Sequence, residues 1–152
     1  MPKQSAGILM YRFDDEILEV LLVHPGGPFN QNKDIGAWSI PKGEFEPGED
    51  IFQTATREFF EELGTRVSGD FFQLEQIRQK GGKIVHAFAV EGDLDTDNFF
   101  SNTFEQEWPP HSGKFHDYPE VDQAEWFNIP TARQKINPAQ TAFLDQLIER
   151  LG

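Results

Sequence analysis

The sequence predicts an α/β domain in which strands surround one central helix and a second helix ends the chain. Three observations favour this fold class. Short apolar runs typical of strands lie on both sides of residues 50–63, those residues have helical periodicity and no proline, and a second apolar helix face follows residue 137. At 152 residues the chain is long enough to bury a core, and no repeat or linker divides it, so we expect one domain over residues 1–152.

The chain begins with a predicted β-hairpin. Residues 6–11 and 18–24 are mostly apolar, and the largely acidic residues 13–16 between them suit a turn. Gly, Pro and Asn are frequent in residues 25–36, which indicates a loop. A short extended segment, residues 38–40, leads from this loop to the central part of the chain.

A central helix is predicted from Asp50 to Leu63, because this stretch contains no proline and Gly64 follows it, as is usual just past a helix end. At about 100° per residue, four apolar residues share one stripe: Phe52, Ala55, Phe59 and Leu63. Three carboxylates occupy a neighbouring arc of roughly 100°. They are Glu58, Glu61 and Glu62.

The second half of the chain predicts more strands and a terminal helix. Residues 71–78 and 83–90 suit two strands joined by a double-glycine turn, and residues 123–129 suit a third. Residues 93–119 have many turn and acidic residues and little periodicity, so we expect a long loop there. An Asn-Pro pair at 137–138 suits the cap and first turn of the last helix.

Composition excludes several function classes. The formal net charge of −13 argues against non-specific binding to a nucleic-acid duplex, which requires a basic face. The chain has no cysteine, which rules out disulfides, thiolate catalysis and a cysteine-based zinc site. No apolar run reaches the length of a membrane span and the N-terminus has no apolar signal segment, so we expect a cytoplasmic protein without a membrane partner.

The three carboxylates on the helix favour a metal site. Like charges at this spacing repel one another by roughly 0.2–0.5 kcal/mol per pair when solvated. A hard divalent cation such as Mg²⁺ or Mn²⁺ prefers oxygen ligands and would neutralise them. The alternative is a solvated acidic helix face in an acidic protein, because charge runs usually lie on the surface. The four histidines show no metal-ligand spacing.

The wider pattern favours the metal site over the solvated face. Residues 43–65 resemble the Nudix box, G-x₅-E-x₇-R-E-U-x-E-E-x-G-U, in which U is a bulky apolar residue. Phe59 fills the first U, and all seven fixed positions match: Gly43, Glu49, Arg57, Glu58, Glu61, Glu62 and Gly64. At ordinary residue frequencies, seven chance matches occur on the order of 10⁻⁸ per window. Thr65 at the final U is a departure at a packing position, which leaves the chemistry untouched.

The resemblance implies a fold, an activity and a set of roles. It implies the Nudix α/β/α sandwich around a central mixed sheet. It also implies hydrolysis of a phosphoric anhydride bond in a nucleoside diphosphate linked to another moiety, with Mg²⁺ or Mn²⁺ as cofactor. Carried over by position, the metal ligands and catalytic residues are Glu58, Glu61 and Glu62, of which Glu58 is also a candidate general base. The backbone carbonyl of Lys42 is implied as a further ligand, and Glu49 with Arg57 as a structural ion pair.

A further acid is expected from a downstream loop, since related enzymes use a loop glutamate as a metal ligand or base. Glu120 lies six residues before Trp126, a spacing similar to the family's, and is the first candidate for this catalytic and metal-binding position. Glu105 and Glu107 in the same predicted loop are competitors. Alternatively, any of the three is a solvated loop acid.

The expected partner is a small-molecule nucleotide or polyphosphate substrate. Lys42, Lys83 and Lys114 are candidate cations for binding its phosphates. Lys42 stands where many members that cleave nucleoside triphosphates have glycine, which resembles the dinucleoside polyphosphate and diphosphoinositol polyphosphate branches. Alternatives are a nucleoside triphosphate or ADP-ribose pyrophosphohydrolase, or a sensor of the same fold that binds a nucleotide without cleaving it. The sequence carries no signal for oligomeric state.

Overall fold

A computed structural model describes residues 2–152 and contains nine strands and three α-helices within that range. The strands are β1 (Gln4–Asp14), β2 (Ile17–Pro25), β3 (Lys42–Phe45), β4 (Phe72–Gln73), β5 (Ile77–Arg78), β6 (Ile84–Glu91), β7 (Thr103–Glu107), β8 (Phe115–Pro119) and β9 (Val121–Asn128). The helices are α1 (Ile51–Leu63), α2 (Ile129–Lys135) and α3 (Thr141–Leu151), and a 3₁₀ turn (Pro138–Gln140) precedes α3. No helix in residues 2–152 is long and apolar enough to span a membrane.

The main sheet has seven strands and is mixed. β1 lies at its centre, parallel to β6 on one side and antiparallel to β2 on the other, and β9 follows β2. β4 and β5 pair with β6, while β3 pairs with the first residues of β1. β7 and β8 form a separate two-stranded hairpin. The pairing of β3 with β1 sets Gly43 opposite Ala6, next to α1.

Alternation along β1 explains why helices cover both faces of the sheet. Successive side chains of a strand point to opposite faces. Ile8 and Met10 therefore pack with α1 residues such as Phe59 on one face. Leu9 and Tyr11 pack on the other face with α3, whose buried residues are Phe143, Leu144 and Leu147. The predicted α/β/α sandwich with a central mixed sheet is confirmed.

Helix α1 has the predicted bounds. Asp50 is its N-cap and accepts a hydrogen bond from the backbone N–H of Gln53 at 3.1 Å. Gly64 at the other end has φ +74°, the left-handed conformation that glycine adopts without strain. The predicted apolar stripe is only partly correct, because Phe52 is 37% exposed whereas its other members are buried.

The expected long loop over residues 93–119 is wrong. It contains the β7–β8 hairpin, in which Thr103 pairs with Pro119 and Glu107 with Phe115. Its strands are only half-buried at best, so they lack the apolar alternation that identifies a strand in a sequence. The single strand expected over residues 71–78 is also wrong, because the segment is split into β4 and β5, which both pair with β6.

The remaining differences concern short elements. The short extended segment expected at residues 38–40 makes isolated bridges, from Ser39 to Val23 and from Trp38 to Ile136, and is not part of a longer strand. Helix α2 was not predicted, because it has only seven residues and buries only Ala132, so it shows no apolar periodicity. The predicted Asn-Pro start at residues 137–138 opens the 3₁₀ turn, and α3 follows it.

Candidate active site

Gly43 and Glu58 lie in direct contact where β3 passes α1. A side chain at position 43 would overlap the Glu58 carboxylate, since an added Cβ would fall closer to its atoms than real contacts allow. The glycine is therefore needed for close approach of the backbone to a charged group. Glu58 itself is 14% exposed at its side chain.

Glu62 is the most deeply buried acid of the cluster. The residue is 7% exposed, and its Oε2 atom has no hydrogen-bond partner within residues 2–152. Burial, reinforced by the charges of Glu58 and Glu120, raises the pKa of Glu62 well above its usual value. The charge and backbone N–H of Lys42 act in the opposite direction. A buried carboxylate oxygen without a donor is costly, so the site calls for a cation at this point.

The other acids share the same electrostatic field. Burial, and secondly the charge of Glu61, raises the pKa of Glu58, while Arg57 opposes the shift. The pKa of Glu120 is raised by burial and by Glu61. The structure thus brings all four predicted glutamates into one mutually repelling group, although they come from a helix and a distant loop.

A small cavity of about 170 Å³ lies among these groups. Its charged lining consists of Lys42, Glu62 and Glu120, and the remaining lining residues are Val23, Pro25, Ser39, Ile40 and Val121. The cavity is large enough for a hydrated ion or the end of a ligand. Burial, and secondly the charge of Lys83, lowers the pKa of Lys42 to about 8.

The other two candidate phosphate-binding lysines lie in different places. The charge of Lys83 helps to lower the pKa of Lys42, and Lys83 also forms an ion pair with Glu44 at 3.5 Å. Lys114 is exposed on the β7–β8 hairpin, where its carbonyl accepts a hydrogen bond from the Trp108 backbone N–H. Lys42 therefore lines the cavity beside the acids and Lys83 lies near Lys42, whereas neither Lys83 nor Lys114 is among the residues that line the cavity.

Backbone hydrogen bonds hold Glu120 at the junction of β8 and β9. Its N–H donates to the Asn102 carbonyl at 2.8 Å, and the Asn102 N–H donates to the Glu61 carbonyl at 2.8 Å. The Glu120 carbonyl accepts from the Gly26 N–H at 2.9 Å. Asn102 thus links the helix acids to the loop acid, and the sequence gives no sign of this role because the bonds involve only its backbone.

Arg57 contacts three carboxylates. Its guanidinium lies 3.3 Å from Glu49, 3.4 Å from Glu58 and 3.7 Å from Glu61. Glu49 also accepts a hydrogen bond from the Glu46 backbone N–H at 2.8 Å, which orders the loop before α1. The pairing of Arg57 with Glu49 is the one that the family resemblance implies. The contacts with Glu58 and Glu61 were not predicted, because they depend on side-chain directions.

The competing loop acids lie on the β7–β8 hairpin. Glu105 is exposed and pairs with Asp117 across the two strands. Both carboxylate oxygens of Glu107 accept backbone hydrogen bonds, from His111 at 3.1 Å and Gly113 at 3.0 Å. Glu107 therefore orders the hairpin turn, and neither acid is among the charges that shift the pKa values of Glu58, Glu62 or Glu120.

The donor set fits a hard divalent cation. Within residues 2–152 no three acidic or imidazole groups already converge as a closed metal site. Glu58 and Glu61 instead contact the Arg57 guanidinium. The unpartnered Glu62 oxygen, the surrounding carboxylates and the absence of thiol ligands match the oxygen coordination of Mg²⁺ or Mn²⁺.

Comparison with known proteins identifies the family. The model of the NUDIX domain matches residues 1–147. The chain belongs to the Nudix family. Nudix hydrolases generally use divalent metal ions, and the box of this chain retains every acid that the family pattern specifies.

Similar sequences cover part of the chain. Nucleoside diphosphate-linked moiety X motif 6 of Mus musculus is 44% identical over 76 residues, which are 50% of this chain and 22% of that protein. The protein of the same name from Xenopus laevis is 39% identical over 76 residues, covering 50% of this chain and 32% of that protein. The matched segment is therefore a minor part of these relatives.

Similar structures cover nearly the whole chain. The NUDIX domain of Shewanella oneidensis NrtR, solved with ADP ribose, has a TM-score of 0.68 at 17% identity, covering 100% of this chain and 90% of that one. A C. elegans Ap4A hydrolase in a binary complex has a TM-score of 0.63 at 21% identity, covering 98% and 97%. At these identities the likeness supports the fold.

Proposed function

We propose that this protein is a metal-dependent hydrolase of a phosphoric anhydride bond in a nucleoside diphosphate linked to another moiety. The observation that carries the proposal is the group of four glutamates, with the buried Glu62 oxygen that has no donor. Such an arrangement is unfavourable without a cation, so its retention indicates a function. Lys42 supplies positive charge in the lining of the same cavity, and Lys83 lies near Lys42.

The chain's own residues suit this chemistry. Glu58, Glu61 and Glu62, with the Lys42 carbonyl and Glu120, would hold a divalent cation, which when bound neutralises the diphosphate and lowers the pKa of water. Glu58 sits on a rigid helix and its pKa is raised, so it is suited to accept the proton of the attacking water. Arg57 contacts the Glu58 carboxylate at 3.4 Å and helps to orient it.

Glu120 is proposed as a metal ligand. We expect Glu120→Gln to raise the Mg²⁺ concentration needed for half-maximal activity about tenfold or more, because a ligand is lost. Two series of turnover measurements distinguish this role from that of a base. One varies the Mg²⁺ concentration at one pH, and the other varies pH at saturating Mg²⁺. A base would instead lower kcat and flatten its acid limb.

Glu105→Gln is the matched control for Glu120→Gln, because Glu105 is an exposed acid of the neighbouring hairpin. This substitution should change neither the dependence of activity on Mg²⁺ concentration nor its dependence on pH. If Glu120→Gln behaves like this control in both series, Glu120 is a solvated acid and the proposal for this residue is wrong.

Within this activity, dinucleoside polyphosphates are the proposed substrates. The charge of Lys83 lowers the pKa of Lys42, and a polyphosphate chain would relieve the repulsion between the two lysines. The fold likeness to the C. elegans Ap4A hydrolase supports this choice, and the likeness to a NUDIX domain solved with ADP ribose makes ADP-ribose the alternative.

A substrate panel tests this choice. At saturating Mg²⁺ we expect kcat/KM for diadenosine tetraphosphate to exceed that for ATP, and for ADP-ribose, by about tenfold, the effect of roughly 1.4 kcal/mol of added binding in the transition state. Lys83→Gln should reduce this preference, whereas Lys114→Gln should not. If kcat/KM for ATP exceeds that for diadenosine tetraphosphate tenfold, the substrate assignment is wrong and the hydrolase proposal still holds. If no compound of the panel is hydrolysed, a nucleotide-binding sensor is favoured.

A further inference from the structure

A second cleft, of about 600 Å³, lies on the other side of helix α1 from the carboxylates. Thr56 and Phe60 face it, and at about 100° per residue they lie roughly 160° around the helix from Glu58 and Glu62, respectively. The cleft is closed on its other side by the segment that follows α1. Its lining residues are Phe52, Thr56, Arg57, Phe60, Arg66, Val67, Ser68, Gly69 and Phe71.

The charge of this cleft is opposite to that of the protein. The chain has 26 acidic residues and 13 basic ones, yet the lining contains two arginines and no acid. Arg66 forms no ion pair within residues 2–152. Arg57 is offset by its contacts with Glu49, Glu58 and Glu61, so the unpaired guanidinium of Arg66 is the group of this lining that can attract an anion.

The position of Arg66 follows from the end of α1. Gly64 takes φ +74°, and its N–H donates to the Phe60 carbonyl at 2.7 Å, which turns the chain back along the helix. The Arg66 guanidinium then lies over the Phe60 ring, 4.7 Å from its centroid. The cation is thus held at the edge of the cleft by the fold and not by a carboxylate.

Aromatic rings provide the second recognition element. Phe52 and Phe60 are 37% and 40% exposed, although both are large apolar side chains. Phe52 is held by edge-to-face contacts with Phe71 and Phe88, with ring centroids 4.8 and 5.1 Å apart. A fixed, partly exposed ring next to an arginine can stack a planar base, because every base has a flat π face.

We propose that this cleft is a second ligand site that binds a free nucleoside monophosphate, with its phosphate at Arg66 and its base on the exposed phenylalanine rings. The volume lies within the range of roughly 300–1,000 Å³ typical of small-molecule sites. Arg57 lines this cleft and also contacts Glu58 and Glu61, so the site adjoins the carboxylates without using them.

Calorimetric titration of the full chain with AMP in EDTA tests the proposal without any metal-dependent turnover. Wild type should bind one AMP per chain, and Arg66→Gln should weaken binding at least tenfold. Arg150→Gln is the matched control, because Arg150 also stacks on a phenylalanine, at 4.6 Å, but in a cleft lined by Glu75 and Glu149. The control should bind like wild type.

Ligand fragments test the two halves of the site separately. Two fragments should each bind at least tenfold more weakly than AMP: adenosine, which lacks the phosphate, and ribose 5-phosphate, which lacks the base. Phe60→Leu should weaken the binding of AMP more than the binding of ribose 5-phosphate. Absence of AMP binding at millimolar concentration, or equal binding by wild type and Arg66→Gln, overturns the proposal. Equal affinity for AMP and either fragment also overturns it. Because no hydrolysis is measured, failure of this binding leaves the proposed activity untouched.

Discussion

Glu62→Gln is expected to lower kcat by on the order of 10³-fold while the protein stays folded, because a ligand worth several kcal/mol of charge stabilisation is lost. The loss should not come from unfolding. Glu62 is buried beside Glu58 and Glu120, and its Oε2 atom has no donor, so its charge destabilises the metal-free protein. Removing that charge should leave the melting temperature in EDTA unchanged or raise it by about 2–4 °C.

The pH dependence of stability provides a second test of Glu62. Its folded-state pKa is raised, so between its usual value of 4.5 and the raised value the folded protein binds more protons than the unfolded chain. The contribution of Glu62 to stability in EDTA should therefore increase as pH falls from 7 toward 5, whereas His86, whose burial lowers its pKa from the usual 6.5, acts in the opposite direction. Glu58 and Glu120 shift in the same direction and add to the trend. Lys42 adds nothing in this window, because it is protonated in both states below its pKa of about 8.

Thermal melts of wild type and Glu62→Gln in EDTA across this pH range separate the two effects. The variant should show a flatter pH dependence than wild type. Glu105→Gln, at an exposed acid of β7, serves as the control and should reproduce the wild-type slope. A large loss of melting temperature for Glu62→Gln at pH 7 would mean that Glu62 stabilises the fold and does not serve as a metal ligand.

Gly43→Ala is expected to lower kcat about 100-fold although it removes no acid. The new methyl group would overlap the Glu58 carboxylate and displace it, and a displacement of about 1 Å at a catalytic group costs on the order of 10²-fold. The overlapped atoms are the far end of a flexible side chain, so we expect a loss of stability at the low end of overpacking costs, about 1 kcal/mol. Steady-state kinetics and denaturant unfolding measure the two effects on the same preparation.

Gly48 provides the matched control for Gly43. It lies in the same segment before α1, has φ +94°, and an added Cβ would meet nothing within 4 Å. Gly48→Ala should therefore cost about 1 kcal/mol of backbone strain and keep its turnover. Shortening the acid in Gly43→Ala/Glu58→Asp should recover part of the lost stability. If Gly43→Ala retains wild-type kcat, the contact with Glu58 does not position that carboxylate.

The parts of the structure that were predictable are those fixed by local chemistry. Helix α1 has an N-cap, a proline-free apolar stripe and a terminal glycine within one short segment, so its bounds follow from neighbouring residues. The box spacing specifies which acids share a helix face. The sandwich follows from apolar strands around that helix, since each layer must bury an apolar face.

The parts that were not predictable depend on contacts between distant residues. Glu120 reaches the helix acids through the backbone of Asn102, and no side-chain pattern reports backbone hydrogen bonds. The β7–β8 hairpin is largely exposed, so pairing holds it together without an apolar alternation. Arg66 lies over Phe60 because the chain reverses at Gly64, a direction that periodicity does not encode.

The proposed activity depends above all on a divalent cation held by the four glutamates. Its most direct test is the turnover of the best substrate of the panel, followed by nucleotide chromatography, in EDTA and again after excess Mg²⁺ is added to the same sample. We expect no detectable turnover in EDTA and recovery of the full rate with Mg²⁺ or Mn²⁺. Undiminished hydrolysis in EDTA would show that the glutamates do not act through a metal ion.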